Sequence, residues 1–193
     1  MRRLLLVRHG STAAVRASAF GSDEPLDTHG LAGAERLRER LPRFEELLAS
    51  PLRRALETAA PLGEPVVEPS LAECDFGSWS GLTLDQLGAD DLGAWMTDPA
   101  FAGHGGESLS ALLGRVGAWL DGQSRRDETA VAITHGGVVK AAVCHALSAP
   151  PSAFWRIDVS PLSITELHAH DGRWTVTRVN DREARAASAG CAA

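Results

Sequence analysis

Two stretches of this chain follow one pattern. LLLVRHG at residues 4–10 and AVAITHGG at residues 130–137 each carry a short, nearly unbroken apolar run into a polar residue, a histidine and a glycine. A run this short, without polar alternation, suits a strand buried on both faces, the kind found inside parallel sheets. Helical spacing lies between the two. Leu31, Ala34, Leu37, Arg38 and Leu41 recur at helical intervals up to Pro42, and Leu109, Leu112, Leu113, Val116 and Leu120 form a stripe behind Ser108. Strands alternating with helices predict an α/β fold with a mostly parallel sheet. In such sheets ligands bind beyond the carboxyl ends of the strands. Those ends are where His9 and His135 stand.

The remaining segments fill in around this frame. Ser11 to Gly30 reads as loop, Phe44 to Ala49 as a strand, and Pro65 to Glu68 as another. Ser50-Pro51 reads as a helix start, with Ser50 as cap and Pro51 at the first helical position. Trp155, Ile157 and Val159 alternate with polar residues as a strand would. SITELHAH and RWTVTRV flank Asp171-Gly172 as a hairpin. With 193 residues, 44% of them hydrophobic, one core is expected. We assign it to residues 1–180 and read 181–193 as a flexible tail.

Charge and cysteine usage narrow the partners. A net charge of −6 and a pI near 5.6 argue against nucleic acid. No stretch reaches the length of a membrane span. The apolar run of MRRLLLV ends at Val7, short of a signal-peptide core. Cys74, Cys144 and Cys191 are widely spaced and make no disulfide framework, as in a reducing compartment. The expectation is a cytoplasmic protein with a small-molecule partner and neither nucleic acid nor membrane; the oligomeric state stays open.

The strand ends suggest a chemistry. Arg8 and His9 follow one strand, Thr134 and His135 the other, and SPLRRALETA brings Arg53 and Arg54 at a helix start. Arginine offers a planar fork of donors matched to phosphate oxygens. Free N–H groups at helix N-termini add to it. A neutral histidine can attack phosphorus, and a second can donate to the phosphoryl oxygens. Arginines and a histidine would then supply the neutralisation that Mg²⁺ gives elsewhere, so no metal and no cofactor is expected. The leaving alcohol needs a proton, and LAECDFGSWSG offers Glu73 and Asp75. Spacing alone leaves both open.

LVRHGST, SPLRRALETA, LAECDFGSWSG, GGES and THGG, in this order, resemble the histidine phosphatase superfamily, which includes the cofactor-dependent phosphoglycerate mutases. The resemblance runs from Leu4 to about Asn180. It implies a three-layer α/β/α sandwich with a mostly parallel central sheet. It also implies that His9 is phosphorylated, that Arg8, Arg54 and His135 bind the phosphoryl group, and that Glu73 is the proton donor. The family form S-x-L-x-R-A-x-x-T-A selects Arg54 over Arg53. Ser11, Thr12 and Gly136 become candidates for substrate contact. FGSWSG, Trp95 with Asp98-Pro99, GGES and the late VND resemble the phosphatase branch, leaning towards alpha-ribazole phosphatase-like members. The function implied is a metal-independent phosphomonoesterase working through phosphohistidine on a small metabolite, with alpha-ribazole 5′-phosphate as a candidate. The alternatives are a phosphoglycerate mutase and a phosphate- or phosphoprotein-binding module without turnover. Elsewhere the plain readings hold: Arg53 solvated, Asp75 holding a loop, Glu107 and Ser108 at a helix start, Trp79, Trp95 and Phe101 in the core, His168 and His170 solvated, and Cys144 buried.

Overall fold

The computed structural model describes residues 1–183. Six strands occur: β1 (Arg2–Arg8), β2 (Glu46–Ala49), β3 (Val66–Val67), β4 (Thr129–Thr134), β5 (Ile164–His170) and β6 (Arg173–Asp181). The α-helices are α1 (Ala13–Ala17), α2 (Thr28–Leu37), α3 (Arg53–Ala59), α4 (Ala89–Thr97), α5 (Leu109–Gln123) and α6 (Gly136–Ala146). The strands form one sheet in the order β3-β2-β4-β1-β5-β6. The first four in that order run parallel, and β5 and β6 add an antiparallel edge.

The continuous apolar runs belong to the central strands because both sheet faces are covered. Leu4, Leu6, Ala130 and Ala132 face a core shared with Leu112, Val116 and Leu120 of α5 and Val138, Val139 and Ala142 of α6. Leu5, Val7, Val131 and Ile133 face the other way, against Leu37 of α2 and Ala55 and Ala59 of α3. Alternate residues of one strand thus serve two cores. The result is the three-layer α/β/α sandwich.

β1 and β4 are in register from Arg3 opposite Thr129 to Arg8 opposite Thr134, and Ala49 of β2 lies opposite Ile133. Three parallel strands therefore end at one level, which puts His9, His135 and Ser50 side by side. On the antiparallel edge, buried Glu166 of β5 pairs with Arg3 of β1 at 2.6 Å and Arg178 of β6 at 2.7 Å. The Asp171-Gly172 turn has positive φ at both residues (50° and 74°), the geometry of a tight hairpin.

Several local expectations are corrected. The segment from Ser11 to Gly30 is not all loop: α1 is capped by Thr12, and α2 begins at Thr28 behind an Asp27 cap. Ser50 does not cap α3, which starts at Arg53 without a side-chain cap. Trp155 to Val159 is not a strand; Pro151–Arg156 is a 3₁₀ turn. The tail assignment began too early: Asp181 closes β6, and Arg40 donates to the carbonyls of Asp181 and Glu183. The rest of that assignment lies outside the described residues, as does Cys191.

Candidate active site

His9 follows β1 and is 3% exposed. Its backbone N–H continues the ladder to Thr134 O at 2.8 Å, which fixes where the ring begins. Gly10 N donates to Thr58 Oγ1 at 3.0 Å, and Thr58 Oγ1 in turn donates to Arg54 O. Strand, turn and α3 are thereby tied together around the ring.

The tautomer of His9 follows from its neighbours. Arg54 Nε reaches His9 Nε2 at 3.1 Å. A guanidinium only donates, so Nε2 carries the lone pair. Nδ1 then holds the proton and donates to Gly10 O at 2.7 Å. Burial pushes the ring's pKa down to about 3, with the Arg54 and Arg8 charges acting in the same direction. His9 is a neutral imidazole with its lone pair on Nε2, a state in which an imidazole is able to act as a nucleophile.

His135 ends β4 and is fully buried, its ring centroid 5.1 Å from that of His9. Its Nε2 lies 2.6 Å from Ser50 Oγ. That hydroxyl also accepts from Leu52 N at 3.3 Å. Its Nδ1 is buried without a partner among the described residues. Burial holds this ring well below the usual histidine range, and His9, Arg54 and Arg8 add to the effect.

Two arginines complete the group. Arg54 is 2% exposed and donates through Nη1 to Ser22 O. Arg8 Nη1 donates to Val159 O at 2.6 Å, while its Nε is buried and unpartnered among the described residues. Burial lowers the Arg8 pKa, Glu73 and Asp158 oppose that, and Arg54 reinforces it. Arg53 stands apart: its Nε pairs with Glu57 at 2.7 Å, and its side chain is exposed.

Glu73 lies where two cavities meet. The smaller, about 160 Å³, is lined by His9, Arg8, Arg54, Glu24 and Glu73. The larger, about 230 Å³, shares Arg8, Glu73 and Phe76 with it and extends along Gly136 and Gly137. Glu73 accepts from Cys74 N at 3.0 Å and from Gly137 N at 3.2 Å. A Cβ on Gly137 would lie 2.2 Å from Glu73 Oε1, so this glycine makes room for the carboxyl. Asp75 Oδ1 accepts from Gly77 N and holds its own loop.

Other candidates fall elsewhere. Ser11 Oγ donates to Asp27 and Thr12 Oγ1 to Glu24, and neither residue lines the two cavities. Glu107 is held by Arg115 at 2.7 Å. Trp79 is buried beside Phe101 in an aromatic cluster, but Trp95 lines the larger cavity and is not purely core. His168 is not free in solvent, because Glu166 holds it at 2.7 Å, whereas His170 is exposed. Cys144 is 2% exposed. Among the described residues no group of three or more His, Cys, Asp or Glu is placed to hold a metal ion, and no helix is long and apolar enough to cross a membrane.

Sequence reasoning missed Ser50 as partner of His135, Thr58 as the tie to Gly10, and Glu24 beside Arg54 at 3.7 Å. It also missed Lys140, which lines the larger cavity. Helical spacing from Gly136 and Gly137 was a signal for that one.

The profile of the histidine phosphatase superfamily (branch 1) matches residues 4–182. A glucosyl-3-phosphoglycerate phosphatase of Mycobacterium tuberculosis is 35% identical over 179 residues, covering 80% of this chain and 78% of the relative. An adenosylcobalamin/alpha-ribazole phosphatase of Salmonella typhimurium is 29% identical over 198 residues, covering 93% and 96%. In fold, the chain is similar to a phosphoserine phosphatase from Entamoeba histolytica, with a TM-score of 0.86 at 23% identity over 93% and 97% of the two chains.

Proposed function

The chain belongs to the histidine phosphatase superfamily and is a phosphoric monoester hydrolase, and from that premise we propose that it works without a metal, through a phosphohistidine on His9, on a small phosphorylated metabolite. One observation carries the reading. A buried neutral imidazole has its lone pair on Nε2, and two buried nitrogens without partners, Arg8 Nε and His135 Nδ1, belong to the same cluster. Buried polar nitrogens left unpaired are costly, and phosphoryl oxygens would satisfy both if His135 carries its proton on Nδ1.

The steps follow from the atoms. His9 Nε2 attacks phosphorus as the bond to the leaving oxygen breaks. Arg54 transfers its Nε–H from His9 to a phosphoryl oxygen, and Arg8 and His135 donate to the others. Glu73 gives its proton to the leaving oxygen. The resulting carboxylate then takes a proton from water, whose oxygen attacks phosphorus and releases inorganic phosphate and free His9. Gly136 borders Arg8, and a Cβ there would make only an ordinary contact, 3.5 Å from Arg8 Nε. Ser11 and Thr12 have no part in this scheme.

Alpha-ribazole 5′-phosphate and glucosyl-3-phosphoglycerate are substrate candidates, the latter through the named activity of the mycobacterial relative. We place the enzyme in the cytoplasm, in keeping with the free thiols of Cys74 and Cys144. A phosphate-release screen of such esters, run with and without a chelator, tests the reading. His9→Ala should abolish release, and label from a radioactive phosphoryl group should ride on the His9 peptide of the wild type. Full activity in His9→Ala, or loss of rate with chelator, would contradict it.

A further inference from the structure

His9 and its donors account for the phosphoryl group and leave the larger cavity without a role. Arg8, Glu73 and Phe76 line both cavities. A phosphate ester held at His9 therefore has a path past Glu73 into the larger space. Much of the wall there is aromatic or aliphatic. Trp155 meets Trp95 at 4.6 Å and 71°, and Phe154 at 5.0 Å and 80°, edge-to-face contacts that fix the rings. Leu109 and Leu112 close the side towards α5.

Besides Arg8, which faces the phosphoryl site, one cation stands in this lining. Lys140 is the only lysine in a chain with 19 basic residues. It follows Gly136 and Gly137 by four and three positions on α6, so the three share a helix face, and all three line the cavity. Its Nζ lies over the Phe154 ring, 5.3 Å from the centroid. It forms no salt bridge among the described residues. Two carboxylates line the same cavity but make their hydrogen bonds to other groups: Glu73 with two backbone N–H groups, and Asp158 with Val159 N at 2.9 Å and Asn180 Nδ2 at 3.5 Å. Burial lowers the amine's pKa, against the pull of Glu73 and Asp158. A half-buried ammonium beside an aromatic ring, with no salt-bridge partner among the described residues, can take a further anion.

Building on the phosphatase reading, we propose that Lys140 determines specificity by binding a carboxylate on the leaving group. The substrate class is then a phosphate monoester whose alcohol carries an apolar, ring-sized body and a carboxylate. That carboxylate lies at least one helical turn, about 5 Å, beyond the phosphoryl site. An uncharged leaving group fills the same walls but leaves the ammonium unpaired.

The test compares 4-carboxyphenyl phosphate with its neutral isostere, 4-carbamoylphenyl phosphate. Wild type should favour the carboxylate in kcat/KM by about 10- to 100-fold, mostly through KM. Lys140→Met should remove that preference and Lys140→Arg should keep part of it. A wild type with no preference, or a Lys140→Met that leaves the ratio of the two esters unchanged, overturns the proposal. A second readout needs no turnover. Reductive methylation with ¹³C-formaldehyde labels Lys140 and the N-terminus and keeps their charge. The Lys140 resonance should shift with 4-hydroxybenzoate and stay still with 4-hydroxybenzamide. That shift without hydrolysis of either ester would refute the phosphatase reading and support the anion site; hydrolysis without the shift would refute the anion site alone.

Discussion

At the scale of single residues, the site depends on keeping an imidazole uncharged. The folded chain protonates His9 only near pH 3, whereas the unfolded chain does so near the ordinary 6.5. Between these values the unfolded state binds more protons, so stability falls as pH falls through that window. His9→Gln removes one such proton. From pH 6.5 to 4.5 the wild type should lose roughly 2–3 kcal/mol more than the variant, measured by urea unfolding at both values. An equal loss in both proteins would mean that His9 is not protected. Arg8, His9 and His135 were legible because each follows an apolar run. Ser50 was misread for the opposite reason. Ser-Pro is a local signature of a helix start, but the hydroxyl is engaged by His135, 85 positions away, and a contact of that range leaves no mark on the local sequence.

At the scale of elements, the junction of β4 and α6 presents His135, Gly136 and Gly137 in succession. Gly137 packs directly against the Glu73 carboxyl. Gly137→Ala should displace that carboxyl and lower kcat by about 10- to 100-fold; an unchanged kcat would remove Glu73 from the proton-transfer step. The strands that pattern identified best, residues 129–134 and the hairpin around Asp171-Gly172, have contiguous apolar or alternating residues and a strong turn. The alternation of Trp155, Ile157 and Val159 misled. Pro151 opens a 3₁₀ turn there, and Trp155 and Val159 line the cavity instead of a sheet face. α1 went unseen because its five residues bury nothing and so have no apolar stripe.

At the scale of the whole molecule, the sheet is assembled from distant parts of the chain. Glu166 clasps Arg3 and Arg178 across three strands. Burial alone would raise its pKa, but hydrogen bonds from Arg3 and His168 and the charges of Arg3 and Arg178 bring it to about 2, against an ordinary 4.5. Its contribution is therefore present above pH 4.5 and is lost as pH falls through about 2. Glu166→Gln should cost roughly 2–4 kcal/mol at pH 7 and much less near pH 2, read from denaturant midpoints. The order of the strands also sets a clock. β1 carries the proposed nucleophile but pairs only with β4 and β5, so it waits unpaired while the chain between is made. At about 5–20 residues per second, roughly 6–25 s separate the synthesis of His9 from that of His135. A ribosome carrying this chain holds its reactive histidine for most of translation with no pocket around it, and the enzyme comes into being only in the last third of its own synthesis.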